Sequence, residues 1–222
     1  MSHFNKESLD KQAQNIVISS EALLLVKPAI KIATTKPISE NVKALPGEII
    51  QLCSPLGTTK ESAIVIDNIQ KPLGSISISR LSLGGFFSIE QAITGLSTFF
   101  GKTVDRETIV KHVTFLAIPI FNSLNLEQKM VFLSEPIEQL IKLPPYGNIL
   151  LRSNLYWFLN RKNGSVKEWV NFLIKKSIIG IEDPIYGTFI KVLENRYRSK
   201  NITEILNDLL SITTSTDIKQ LK

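Results

Sequence analysis

Cysteine, histidine and long apolar runs are all scarce in this chain, and each shortage excludes a class of chemistry. One cysteine, Cys53, stands among 222 residues. That rules out an internal disulfide framework or a thiolate metal cluster, and fits a reducing compartment or a buried, inert thiol. The two histidines are His3 and His112. His3 falls in a polar N-terminal arm, and His112 in an apolar stretch where a structural role is expected. A nucleophile pair of Cys53 with His112 has no local signature. A metal site would need carboxylates almost alone, and neither Asp-x-Asp nor Glu-x-x-His spacing occurs. Pro55–Leu56–Gly57–Thr58–Thr59–Lys60 has the residue types of a phosphate loop. It lacks the first glycine and the Gly-Lys-Ser/Thr order that wraps backbone amides around phosphate, and reads as a surface turn. No cofactor and no metal are therefore expected. The longest apolar runs, such as Phe115–Phe121, fall far below the ~18–20 residues that span a bilayer. No transmembrane segment is predicted. The N-terminus has no basic region followed by an apolar core, which points to a cytoplasmic or otherwise intracellular protein rather than a secreted one.

Charge is present, and it is concentrated. The chain has 26 Lys and Arg against 20 Asp and Glu, a net +6. Arg152 to Lys200 alone contains ten Lys/Arg and four acids, which accounts for the whole excess. Both tryptophans (Trp157, Trp169) and three of the four tyrosines lie in the same stretch. A basic, aromatic segment implies an acidic partner, because phosphates release counterions when Lys or Arg replaces them. A hydrophobic fraction of 43% with 21% charged residues is that of a globular protein, so wholesale disorder is not expected.

Along the chain, residues 1–14 read as a flexible arm, 15–145 as an α+β core domain and 146–222 as a basic helical subdomain. Asn15–Ala33 suggests strands or a short helix, and Thr34–Gly47, with Pro37 and Pro46, a long loop. Glu48–Cys53, Ala63–Asp67 and Gly74–Leu83 are short, β-branched and bounded by Pro or Gly, as strands are. In the last of these Ile76 and Ile78 alternate with serines, and the phase shifts near Arg80. Gly84–Gly85 reads as a tight strand-to-helix connection. Ser88 with Gln91 then opens a helix ending at Gly101. Asp105 is expected to cap a second helix, while Val113–Ile120 fits helix and strand equally. Short helices are expected over Asn125–Leu133 and Pro136–Leu143. The Ser165/Glu168 capping box opens another to about Ile178, Asp183–Pro184 the next, and Asn201 or Thr203 a third. Strands first and helices after is the α+β order.

The candidate site is the basic stretch. Lys167 and Lys175 line one side of the first basic helix, Lys191 and Arg198 one side of the second, and Arg161–Lys162 precede both. Lys176, Arg196 and Lys200 extend the set. Tyr156, Trp157 and Tyr197 are candidates for base stacking, whereas Trp169 falls within an apolar arc. A helix-turn-helix drawn from the two helices would place apolar Ile185 and Phe189 where base readers belong, so backbone or single-strand contact fits better. In size, basicity and lack of catalytic groups the chain resembles the small structural proteins of viruses (matrix, capsid, nucleocapsid or movement proteins), a likeness of type that no motif carries. The expected function is a non-enzymatic binding or assembly protein, homo-oligomeric, engaging nucleic acid (RNA or single strand in the first place) or an anionic membrane surface. Two alternatives remain: a nucleic-acid-processing enzyme whose carboxylates converge only in the fold, and a protein-interaction module.

Overall fold

The computed structural model of the chain describes residues 14–29, 31–37, 43–162, 164–195 and 204. Most of the expected N-terminal arm, and the expected helix starting at Asn201 or Thr203 apart from Glu204, lie outside these residues. Five strands form one mixed sheet in the order β1–β3–β4–β5–β2. They are β1 (Gln14–Val17), β2 (Ala33–Pro37), β3 (Ile49–Cys53), β4 (Lys60–Pro72) and β5 (Ile109–Ala117). β1 runs parallel to β3, and every other pairing is antiparallel. A short helix, α1 (Ser20–Leu24), follows β1. Two more, α2 (Ile78–Leu83) and α3 (Ile89–Phe100), lie between β4 and β5. After the sheet come α4 (Ile118–Ser123), α5 (Leu126–Ser134), α6 (Ile137–Leu140), α7 (Tyr146–Lys162), α8 (Val166–Lys175) and α9 (Pro184–Asn195). The fold is α+β, as the order of elements predicts.

The sheet is buried on both faces. On β4, Ala63 and Val65 belong to one apolar cluster, while Ile64 and Ile66 belong to another. β5 divides in the same way, with Val113, Phe115 and Ala117 on one side and Leu116 on the other. A strand covered on both sides loses its polar alternation and becomes a continuous apolar run. For that reason Val113–Ile120 does not declare itself by periodicity: it is strand to Ala117 and helix from Ile118. The larger cluster continues through Leu150, Trp169 and Phe189, so α7, α8 and α9 share a core with the sheet across residue 145. Trp169 is 1% exposed, and its indole N–H donates to Asn154 Oδ1 at 2.6 Å. Its ring lies 4.5 Å from that of Phe189 on α9.

Several segments fold otherwise than expected. Gly74–Leu83 is no strand: a 3-10 turn (Leu73–Ser75) leads into α2, whose N-cap is Ser77, accepting from Arg80 N. The alternation of Ile76 and Ile78 with serines is the spelling of a cap, and the phase change near Arg80 is the helical period itself. Asp105 caps no helix. Its Oδ1 accepts from the backbone of Glu107 and Thr108 and from the Thr108 hydroxyl, a turn that starts β5. The start of the expected Thr34–Gly47 loop is instead β2. Its residues Thr34–Lys36 are polar in spelling yet buried, and Pro37 stands at the end of this edge strand, where proline costs no ladder hydrogen bond.

One buried ion cluster joins the layers. Arg80 on α2 is 8% exposed. Its Nε and Nη2 donate to Glu138 at the start of α6, at 2.6 and 2.9 Å, and its Nη1 donates to Asp67 of β4. Asp67 follows a register shift between Val65 and Asp67, a bulge of the kind that re-aims a strand side chain. Ser77 Oγ adds a third bond to Glu138 at 2.8 Å. Partial burial raises the Glu138 carboxyl, but its bonds to Arg80 and Ser77 outweigh that and hold it below the ordinary glutamate value. A carboxylate with a depressed pKa stabilises the fold above about pH 4, and that stability is lost as pH falls through the native value. We expect Arg80→Ala to cost about 3 kcal/mol in urea unfolding, since it strands two partly buried carboxylates. Glu138→Gln should be less stable than the native chain at pH 7, and the gap should close on acidification below pH ~4.

Candidate functional site

α7 is latched to the end of α2 by a stripe of residues four apart. Ser153 Oγ donates to Leu83 O at 2.8 Å, and Arg161 Nη1 donates to Gly85 O at 2.7 Å. These two bonds satisfy carbonyls that the last turn of a helix and the turn after it leave unpaired. Trp157, between them in the stripe, fills the space over Gly85. That glycine has φ +90°, and a Cβ there would meet Trp157 Cγ at 3.0 Å and Arg161 Cζ at 3.3 Å. Gly84–Gly85 is therefore a helix-to-helix connection, not strand-to-helix, and its second glycine is what lets the α7 side chains close in.

The stripe forms one wall of a cavity of about 520 Å³. Residues from both edges of the sheet line it: Val17 at the end of β1 and Thr34–Lys36 of β2, with α1 and the end of α3 completing it. Both edge strands of the sheet thus contribute to one opening. Three cations line the cavity, Lys31, Lys36 and Arg161, with one acid among the lining residues, Glu21. Each cation lies against a ring. Arg161 Cζ is 4.8 Å from the Trp157 centroid and 5.7 Å from that of Phe86. Lys31 Nζ is 5.9 Å from Trp157, and Lys36 Nζ is 5.6 Å from Phe100. Burial pushes the Arg161 guanidinium below its ordinary value. Lys31 is half-buried. Desolvation, and then the Arg161 charge, lower its ammonium to about 7. Arg161 also borders a shallower depression with Glu90, whose carboxylate pairs with Arg106 at 2.5 Å.

Of the residues expected at the site, Arg161, Tyr156 and Trp157 come together in this cavity, the two rings meeting edge to face at 5.2 Å. Lys162 is the last residue of α7. Lys167 and Lys175 are exposed on α8, Lys176 at its C-terminal cap and Lys191 on α9. None of these four pairs with an acid among the described residues. Arg196, Tyr197, Arg198 and Lys200 lie outside the described residues. Ile185 and Phe189 of α9 are fully buried and Thr188 nearly so, so the start of that helix offers little to a base edge. Sequence reasoning missed Lys31 and Lys36. Lys36 sits in the unrecognised edge strand, and nothing local marks a lysine that folding will bury.

His112 is 0% exposed. Its Nδ1 lies 3.0 Å from Thr35 Oγ1 across the β2–β5 pair. Burial first, then the charges of Arg80 and Lys31, lower it to about 3, so it stays neutral. Cys53 donates to Asn15 and Gln51 rather than to His112. Among the described residues no group of three His, Cys, Asp or Glu is placed to hold a metal. The carboxylates that do converge, Asp67 and Glu138, are held by Arg80. No helix among the described residues is long and apolar enough to cross a membrane. Comparison with known families, curated proteins and solved structures finds no match to this chain.

Gly85→Ala should test the wall directly. An alanine at positive φ, with its Cβ against the indole, is expected to cost about 1–3 kcal/mol in urea unfolding. It should also shift the tryptophan emission, because Trp157 must move while Trp169 stays in its core.

Proposed function

We propose that the protein binds single-stranded nucleic acid, RNA in the first place, as a binding or assembly protein. In this reading the cavity receives one nucleotide, and the exposed cations of α8 and α9 track the neighbouring phosphates. What supports it is the juxtaposition at the cavity of cations and aromatic rings with a single acid, which suits a ligand that is both anionic and flat. A phosphate lies favourably near Arg161 and Lys36, and a base against Trp157, Tyr156 or Phe86. Stacking of this kind is worth about 1–3 kcal/mol per base. A single strand fits better than a duplex, because a ring-lined cavity needs a base whose faces are not already stacked. Lys167, Lys175, Lys176 and Lys191, exposed and without acidic partners among the described residues, add the long-range attraction that steers a polyanion.

Fluorescence anisotropy with a labelled single-stranded RNA, repeated over a range of salt, tests this. The log affinity should fall with log salt by roughly 0.7 per phosphate contact. Reversing Lys167, Lys175 and Lys191 to Glu should weaken binding at least tenfold and flatten that slope. Trp157→Ala should weaken it while leaving the slope unchanged. Affinity and slope unaltered in both variants would overturn the proposal. Retention by anionic vesicles with no RNA binding would replace it with a membrane-surface partner.

A further inference from the structure

The cavity contains a lysine that nucleic-acid binding does not require. Lys31 enters it directly before β2 and makes no ion pair with an acid among the described residues. An ammonium drawn partly out of water without a carboxylate partner is costly. Here the charge that acts on it is of like sign, Arg161 from α7, while Lys36 of β2 lines the same cavity, Glu21 on α1 is exposed and His112 on β5 is neutral. The arrangement favours a neutral amine. We propose that Lys31 is a nucleophile, and that the cavity takes a small planar aldehyde or ketone carrying a phosphate or carboxylate group, whose carbonyl carbon Lys31 Nζ attacks. The anionic group would lie toward Arg161 and Lys36, the flat body against Trp157 and Phe100, and the carbonyl toward Nζ. At about 520 Å³ the cavity falls in the range of small-molecule sites, ~300–1,000 Å³. The inference stands apart from the nucleic-acid proposal, and either can fail without the other.

The step balances without an oxidant or reductant. The Nζ lone pair forms the new C–N bond as the carbonyl π electrons move to oxygen. The carbinolamine then loses that oxygen as water together with both amine protons, leaving a neutral imine. An amine with a pKa of about 7 is half neutral at pH 7. An ordinary lysine near 10.5 is neutral about one part in 3,000, so Lys31 holds roughly a thousandfold advantage in reactive form. A weaker base is also a weaker nucleophile. If half of that advantage, in logarithmic terms, is lost as it is among thiols, a preference of about 30-fold remains.

The test uses the full chain at pH 7 with pyridoxal 5′-phosphate, 4-carboxybenzaldehyde or benzaldehyde, each trapped with borohydride, and with the labelled peptide identified by mass spectrometry. The expected result is one label per chain, on Lys31, with a rate that rises with pH to a plateau and has its midpoint near 7. Both anionic aldehydes should react at least tenfold faster than benzaldehyde, and the faster of the two identifies the phosphate or carboxylate class. Lys31→Met should lose that label, and Arg161→Ala should slow it while leaving Lys31 as the site. Labels spread over Lys167, Lys175 and other exposed lysines without preference for Lys31 would overturn the proposal. Benzaldehyde reacting as fast as the anions would overturn the assignment of an anionic ligand. Site mapping on the native chain decides the main question even if the Lys31→Met protein does not fold.

Discussion

The Arg80 guanidinium, forked between Asp67 of β4 and Glu138 of α6, is the contact through which the sheet positions everything above it. A six-residue helix such as α2 cannot hold itself in place, because nucleation costs more than so few hydrogen bonds return. It is held from outside: Ser77 caps its start, Arg80 ties its middle to two carboxylates, and Ser153 and Arg161 of α7 take carbonyls at and just past its end. α7 is thereby located against α2, and with it the indole and guanidinium that wall the cavity. The chain of dependence runs from a β-bulge, through a buried ion cluster, to a short helix, to the site.

The same chain of contacts explains the unusual electrostatics of the cavity. Asp67 and Glu138 are engaged by Arg80, and the Arg80 charge also reaches His112. At the opening lined by the two edge strands, Lys31, Lys36 and Arg161 each lie against an aromatic face. Each cation–ring contact contributes about 0.5–2 kcal/mol depending on burial.

How much of this was legible varied with how local the signal was. The helix over Ile89–Phe100, with Ser88 before it and Gly101 in the left-handed region after it, follows from capping chemistry confined to adjacent residues. The Ser165/Glu168 box is formed in full, and α8 starts where it predicts. The errors fall where a tertiary contact overrides the local pattern. The serines around Ile76 and Ile78 look like the wet face of a strand until Glu138 arrives to bond Ser77. Thr34–Lys36 looks like loop until β5 pairs with it and buries it. Val113–Ala117 is ambiguous because apolar clusters cover both of its faces.

Composition, capping boxes and the order of strand-like and helix-like segments were enough to determine the α+β class, most of the helices and the location of the positive excess along the chain. These properties depend on neighbours within about four residues, the range over which side chains act on their own backbone. Which cations share a cavity was decided by the tertiary structure alone. Lys31, Lys36 and Arg161 span 130 positions in the sequence, and they share one cavity because its walls come from both edge strands and from α7, which is pinned over Gly85. The lowered pKa of Lys31 belongs to the same category. Desolvation and the approach of a like charge are created by folding, and no stretch of sequence around a lysine encodes them.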